Sequence, residues 1–152
     1  MKIKGNDIRK VALRMIYEAS SGHPGGSFSI ADILAVLYNC YDLVSGANDK
    51  LILSKGHAAP ALYAALHLLG VISESELATF RQIDSRLQGH PDKERLSNVV
   101  ATTGSLGQGL SIAIGHAIAH QLQKKSDRVF CITGDGEMQE GQVWEAIMLA
   151  PK

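Results

Sequence analysis

Two short apolar runs, residues 50–54 and 128–133, each break off at a glycine-bearing turn and pass into a helical pattern. Strands this short and this apolar are buried on both faces, which is the habit of a parallel sheet covered by helices. The first turn is Lys55-Gly56-His57 and the second is Gly134-Asp135-Gly136. Helices alternating with such strands predict an α/β fold with a mainly parallel sheet. A length of 152 residues suits one domain. Only two strands can be read, however, and two strands do not close an independent α/β core. The architecture is therefore expected to be unfinished.

Helical spacing fills most of the remainder. Ile8, Val11, Met15, Ile16 and Ala19 recur at intervals of three and four over residues 6–20, with Asn6 or Asp7 as the expected cap. The run Ser20-Ser21-Gly22-His23-Pro24-Gly25-Gly26 is expected to leave the helix. Ser29 and Asp32 have the spacing of a capping box before Ile30, Ile33, Leu34 and Leu37, and Ser73 and Glu76 repeat that spacing. Residues 58–69 form an almost wholly apolar helix closed by Gly70. Residues 85–103 lose periodicity, and a loop of that length is usually functional or mobile. A helix then runs to about Gln123, with Gly107, Ser111 and Gly115 as a smooth stripe open to close backbone approach.

The chemistry-bearing residues gather at the glycine turns. Glycines flanking Asp135 free the backbone to approach a ligand with its amides exposed, and the carboxylate is a hard ligand for Mg²⁺ or Ca²⁺. The same tripeptide also suits a tight turn with a solvated aspartate. His23, His57 and His90 share one local form, glycine before and proline or alanine after. Imidazoles in turns can hold hydroxyls or phosphate and relay protons near neutrality, so three in matching contexts point to a common polar pocket. His67 reads as a packed or rim residue. His116 and His120 could pair on zinc, but no third ligand lies nearby. Residues 104–109 lack both the GxGxxG order and a GK[ST] ending, so close packing or backbone approach to a ligand fits better than a nucleotide loop. Glu137, Glu140 and Glu145 read as a solvated acidic helix face.

Composition narrows the function classes. Lys+Arg and Asp+Glu number 15 each, a balance that disfavours nucleic acid and anionic membrane surfaces as partners. No apolar run approaches the ~20 residues of a membrane helix, and the first residues lack a secretory core. Cys40 and Cys131, far apart in apolar runs, read as reduced, buried thiols of a cytoplasmic protein.

Taken in order, five segments resemble the N-terminal, diphosphate-binding part of transketolase, in particular its split-gene form. They are Ser21-Gly22-His23-Pro24-Gly25-Gly26, Ser54-Lys55-Gly56-His57-Ala58, Gly89-His90-Pro91, Thr102-Thr103-Gly104-Ser105-Leu106-Gly107-Gln108-Gly109, and the run from Gly134 to Gln142. The resemblance implies a partial thiamine diphosphate-binding domain over residues 1–152. Its fold would be an incomplete parallel-sheet, three-layer arrangement of the pyrophosphate-binding (PP) type. It also implies a transferase moving a two-carbon ketol unit between sugar phosphates of the pentose phosphate pathway. By the same resemblance Asp135 binds Mg²⁺ (or Ca²⁺), while His57, Gly104, Leu106 and Gly136 approach thiamine diphosphate. His23 and His90 face the substrate as catalytic groups, and Glu140 and Glu145 lie at a subunit contact. The implied partners are a second copy of the chain, a C-terminal transketolase subunit, or both.

Two features depart from that pattern. The family's metal motif continues to an asparagine beyond GDG, whereas Asn6, Asn39, Asn48 and Asn98 all precede Asp135. The pyrimidine-binding module, whose glutamate activates the cofactor, is also missing. The last helical pattern halts at Pro151-Lys152 with no strand after it, so the chain is expected to be a truncated or split N-terminal part, inactive alone. Alternatives are a non-catalytic fragment that keeps its dimerising helices, or another ketol-transferring thiamine diphosphate enzyme such as 1-deoxyxylulose-5-phosphate synthase or dihydroxyacetone synthase. Proline after His23 and the Lys55-Gly56-His57 context favour transketolase.

Overall fold

The computed structural model describes residues 2–45 and 48–150. Pro151 and Lys152, on which the expectation about the chain's end rests, lie outside the described residues. Two strands, β1 (Lys50–Leu53) and β2 (Val129–Ile132), pair in parallel, with Lys50 opposite Val129 and Leu53 opposite Ile132. Seven helices surround them among the described residues: α1 (Gly5–Glu18), α2 (Pro24–Ser29), α3 (Ala31–Cys40), α4 (Ala59–Leu68), α5 (Glu74–Leu77), α6 (Gln108–Leu122) and α7 (Gly141–Leu149). No helix or strand interrupts residues 78–107, a longer stretch than the aperiodic residues 85–103 that it contains.

Alternation along β1 divides the molecule. Leu51 and Leu53 face the large core of α1, α3 and α4, while Ile52 faces a small one with Ala101 and Ala113. Helix α4 lies at the centre of the large core, and each of its residues from Ala59 to Leu66 is buried. An apolar pattern on every side suits only such a position. Helix α1 offers it the stripe of Ile8, Ala12 and Met15, each at most 1% exposed. Burial of each large side chain there stabilises the fold by roughly 1.5–3 kcal/mol.

Several local expectations are corrected. The cap of α1 is Lys4, in extended conformation and with no side-chain hydrogen bond, not Asn6 or Asp7. The break after α1 is shorter than the glycines suggest, because Pro24 opens α2 at its first position. The Ser29–Asp32 capping box does not form. Ser29 Oγ donates to the Gly26 carbonyl and accepts from Lys55 Nζ, while Asp32 pairs with Arg9. At Ser73 the box is half realised, with Ser73 Oγ accepting from the Glu76 amide at 3.3 Å. Cys40 is exposed, not buried; Cys131 is half-buried, and burial followed by the charge of Glu137 pushes its thiol up to about 12. Both cysteines are free.

The small-residue stripe also resolves differently. Ser111 and Gly115 are exposed, and a Cβ on Gly115 would meet nothing within 4 Å. The close approach occurs at Gly109, where a Cβ would lie 2.5 Å from Ser54 Cβ and Oγ. Helix α6 therefore presses on the end of β1 through Gly109. Replacing Gly109 with Ala is expected to destabilise the domain by about 1–3 kcal/mol through overpacking. Gly115→Ala, in the same helix but in open space, is expected to stabilise it by about 0.5–1 kcal/mol. Urea unfolding of the two variants checks the contrast, and equal effects would contradict this packing.

Candidate thiamine diphosphate site

Because the strands are parallel, both C-terminal ends fall on one edge, where α/β proteins place ligands. The amide of Ser54 donates to the Ile132 carbonyl at 2.9 Å, so the turn after β1 lies against the turn after β2. Each turn continues into a short 3₁₀ segment, Gly56–Ala58 and Gly136–Gln139. Between them opens a cavity of about 360 Å³ whose lining includes Gly26, Lys55, His57, Leu106, Gly134, Asp135, Gly136 and Glu137.

Close backbone contacts give the cavity its walls. A Cβ on Gly26 would come within 2.9 Å of the His57 ring, and one on Gly56 within 2.8 Å of the Gly104 amide nitrogen. Gly107 adopts φ +86°, a left-handed conformation suited to glycine, immediately before α6. Thr103 Oγ1 donates to the Leu53 carbonyl at 2.7 Å, tying the incoming loop to the end of β1. Buried Tyr63 donates to the carbonyls of Gln88 and His90, which fixes the His90 loop to α4.

The three turn histidines converge, though not on one wall. The rings of His23 and His57 meet edge to face with centroids 5.3 Å apart. His57 lines the cavity described above, whereas His90 packs over Gly104 and lines a neighbouring one. Burial lowers the His57 pKa below its usual value, helped by the proximity of His23, Lys55 and His90 and opposed by Glu137. Burial also lowers His90, reinforced by Arg81 and His23. Of the remaining expected residues, Leu106, Asp135 and Gly136 line the cavity, and Gly104 forms its close contact with Gly56.

Two side chains were missed in the sequence. Glu137 is 2% exposed, not solvated: its carboxylate accepts from Ser54 Oγ, from the Gly107 amide at 2.8 Å and from the Gly134 amide at 2.9 Å. Lys55 donates to the Gly26 carbonyl at 3.0 Å and to Ser29 Oγ at 2.9 Å. Burial lowers its pKa while the charges of Asp135 and Glu137 oppose the shift. A cavity lined by Lys55, His57 and the Gly134-Asp135-Gly136 turn fits the diphosphate end of a cofactor. For a cation the fit is partial, since no group of three or more His, Cys, Asp or Glu is arranged for a metal among the described residues. His120 Nδ1 instead donates to the Asp127 carbonyl. No helix among the described residues is long and apolar enough to cross a membrane.

Residues 2–152 match the family model described as transketolase, thiamine diphosphate binding domain. The chain is 44% identical to the 6-deoxy-6-sulfo-D-fructose transketolase subunit SqwG of Clostridium sp. (strain MSTE9), covering 97% of this chain and 56% of that protein. It is also 44% identical to human transketolase, over 99% of this chain and 25% of that one. Among solved structures, Campylobacter jejuni transketolase superposes with a TM-score of 0.88 at 38% identity, and the Leishmania mexicana enzyme with 0.87 at 35%. Each solved match covers 96% of this chain and about a quarter of the other. The chain belongs to the transketolase family, within its N-terminal thiamine diphosphate-binding domain. It spans about half of the Clostridium subunit and about a quarter of the human enzyme.

Glu137→Ala would leave the Gly107 and Gly134 amides without their acceptor, at about 1–3 kcal/mol each. It is expected to lower unfolding stability by about 3 kcal/mol, against about 0.5 kcal/mol for exposed Glu140→Ala; denaturant melts of both compare them. A second expectation concerns pH. The pKa values of His57, His90 and His116 all lie below the ordinary 6.5, mainly through burial. The unfolded chain therefore takes up protons that the folded one refuses. Stability from these groups is full above pH 6.5 and declines as pH falls through that value. Urea midpoints between about pH 7.5 and about pH 5.5 should decline, and a flat profile would contradict it.

Proposed function

We propose that this chain forms the N-terminal part of a transketolase-type transferase that moves a two-carbon ketol unit between sugar phosphates, and that it is inactive alone. The single observation carrying this reading is the cavity between the two strand ends, lined by Gly26, Lys55, His57 and the Gly134-Asp135-Gly136 turn. Thiamine diphosphate, once bound, would supply the electron sink for breaking and forming the carbon–carbon bond. The Gly136 amide, His57 and the backbone at Gly104 and Leu106 would hold its diphosphate end, with Lys55 balancing its charge. Asp135 would give Mg²⁺ (or Ca²⁺) one carboxylate oxygen, with the other ligands coming from diphosphate, water and groups beyond this chain. His23 and His90 would hold substrate hydroxyls and move protons. Burial favours the neutral form of His90, whose ring can both donate and accept.

The assembly reading rests on coverage and on exposed surface. The Clostridium relative is named as a subunit, and this chain spans 56% of it, which supports a division of the enzyme between chains. Trp144, Met148 and Leu149 on α7 and Leu122 on α6 are each at least half exposed, a face suited to a C-terminal transketolase subunit or a second copy. Exposed Glu140 and Glu145 would sit at that contact. Operation in the pentose phosphate pathway of the cytoplasm is part of the same proposal.

The test measures thiamine diphosphate retention, with and without Mg²⁺, by the enzyme assembled from this chain and the remaining modules. Asp135→Asn is expected to weaken Mg²⁺-dependent retention by about 100-fold, since even partners outside the first ligand layer contribute about 10–100-fold. His116→Ala, remote from the cavity, is expected to leave retention unchanged. Equal losses in the two variants would mean that the cofactor binds elsewhere.

A further inference from the structure

A second cavity, of about 420 Å³, lies beside His90 and shares no lining residue with the first. Its walls are Ala19, Ser21, Arg81, Gln88, Gly89 and His90. Arg81 is the one fixed cation among them. Arg9, Arg14, Arg86 and Arg95 each pair with a carboxylate, whereas Arg81 and Arg128 form no ion pair among the described residues, and Arg128 is engaged instead by the Tyr41 hydroxyl and ring. Its Nη1 donates to Ser21 Oγ at 2.7 Å, while its Nε is buried and meets no acceptor. A buried donor without a partner is rare in a folded protein and often marks an absent water or ion.

The surrounding structure nevertheless holds this guanidinium firmly. Arg81 has φ +63°, a left-handed conformation that side-chain-bearing residues rarely adopt, and its amide donates to the Leu87 carbonyl at 2.9 Å. The guanidinium carbon lies 5.6 Å from the centroid of the Phe80 ring. A side chain at position 89 would collide with it, since a Cβ there would come 2.9 Å from Nε and 3.1 Å from Nη2. A glycine, a strained backbone and a hydroxyl therefore combine to present a planar cationic fork to a cavity that offers it no counter-charge. Such a fork matches the paired oxygens of phosphate, sulfonate or carboxylate.

We propose that the cavity beside His90 is an oxyanion-binding site in which Arg81, oriented by Ser21, grips the charged end of a small solute. The oxyanion belongs either to a substrate that also reaches His90 or to a free anion. The site goes beyond the ketol-transfer reading and does not depend on it. Shared shift causes support a positive lining, because Arg81 contributes to lowering His90.

The experiment titrates the full chain with inorganic phosphate, and separately with a ketose phosphate, at constant ionic strength under nitrogen-15 NMR. The expected result is a saturable shift of the Arg81 Nε–Hε and Gly89 amide signals, with no comparable change at the distant His67 ring. Gly134 and Gly136 amides report the diphosphate cavity independently, so failure of one reading is separable from failure of the other. Arg81→Gln is expected to raise the phosphate dissociation constant by at least about tenfold at this site. Tighter binding of the ketose phosphate than of phosphate identifies a substrate subsite, and equal binding identifies a free-anion site. Non-saturating shifts, equal shifts at His67, or an unchanged constant in Arg81→Gln would overturn the proposal. Should Arg81→Gln fail to fold, the titration of the unaltered chain decides by the first two criteria.

Discussion

The carboxylate of Glu137 joins three segments that the chain keeps far apart: Ser54 after β1, Gly107 before α6, and Gly134 after β2. A buried carboxylate is tolerated only when its oxygens are satisfied, so each of these donors must arrive together with it. The strand pairing brings Ser54 beside Ile132, and the left-handed turn at Gly107 directs an amide inward. Once Glu137 has consumed the Gly107 and Gly134 amides, the next residues of the same turn, Asp135 and Gly136, are left to line the cavity. Core assembly and site assembly are thus one event at this point.

Close approach, rather than backbone freedom, explains three of the glycines. Gly26, Gly56 and Gly109 have no left-handed conformation to satisfy, yet a Cβ on any of them would run into His57, Gly104 or Ser54 at 2.9 Å or less. Of the three, Gly26 lines the cavity. Lys55 reaches the Gly26 carbonyl at 3.0 Å and Ser29 Oγ at 2.9 Å. Burial there would favour losing its proton, and the neighbouring carboxylates of Asp135 and Glu137 act against that loss.

What could be read in the sequence was local, and what could not was tertiary. Strand ends, their turns and the three histidines were legible because glycine and apolar runs carry their meaning within a few residues. Ser73 and Ser29 show the limit of that approach, since both sit three residues before an acidic one. Ser73 caps α5 because it is exposed and its one other partner, the Ser75 hydroxyl at 3.1 Å, lies within the same turn. Ser29 does not, because Lys55 arrives from a distant segment and Arg9 removes Asp32. Glu137 failed for a related reason. An acidic residue in a group of three looks solvated until the pairing of β1 with β2 shows which of the three faces inward. Its signal, in hindsight, is the tight link to a glycine turn, where an inward acceptor can serve several amides.

The two faces of the sheet are unequal, and that inequality accounts for how the site can be well formed in so small a portion of the family's length. On the α4 side the core is closed, with Tyr63, Leu66, Ile8 and Leu34 fully buried. On the α6 side Ile52, Ala101 and Ala113 make only a small cluster, and Leu122, Trp144 and Met148 remain exposed. Lys55, His57 and the His90 loop hang from the closed side, through β1 and through Tyr63 on α4. Asp135 and Gly136 follow β2, where the sheet has only one neighbouring strand and its outer edge has no partner among the described residues. The wall that carries Lys55 and His57 is therefore held by a finished core. The wall that would carry the metal borders the open face, so its rigidity depends most on what covers that face.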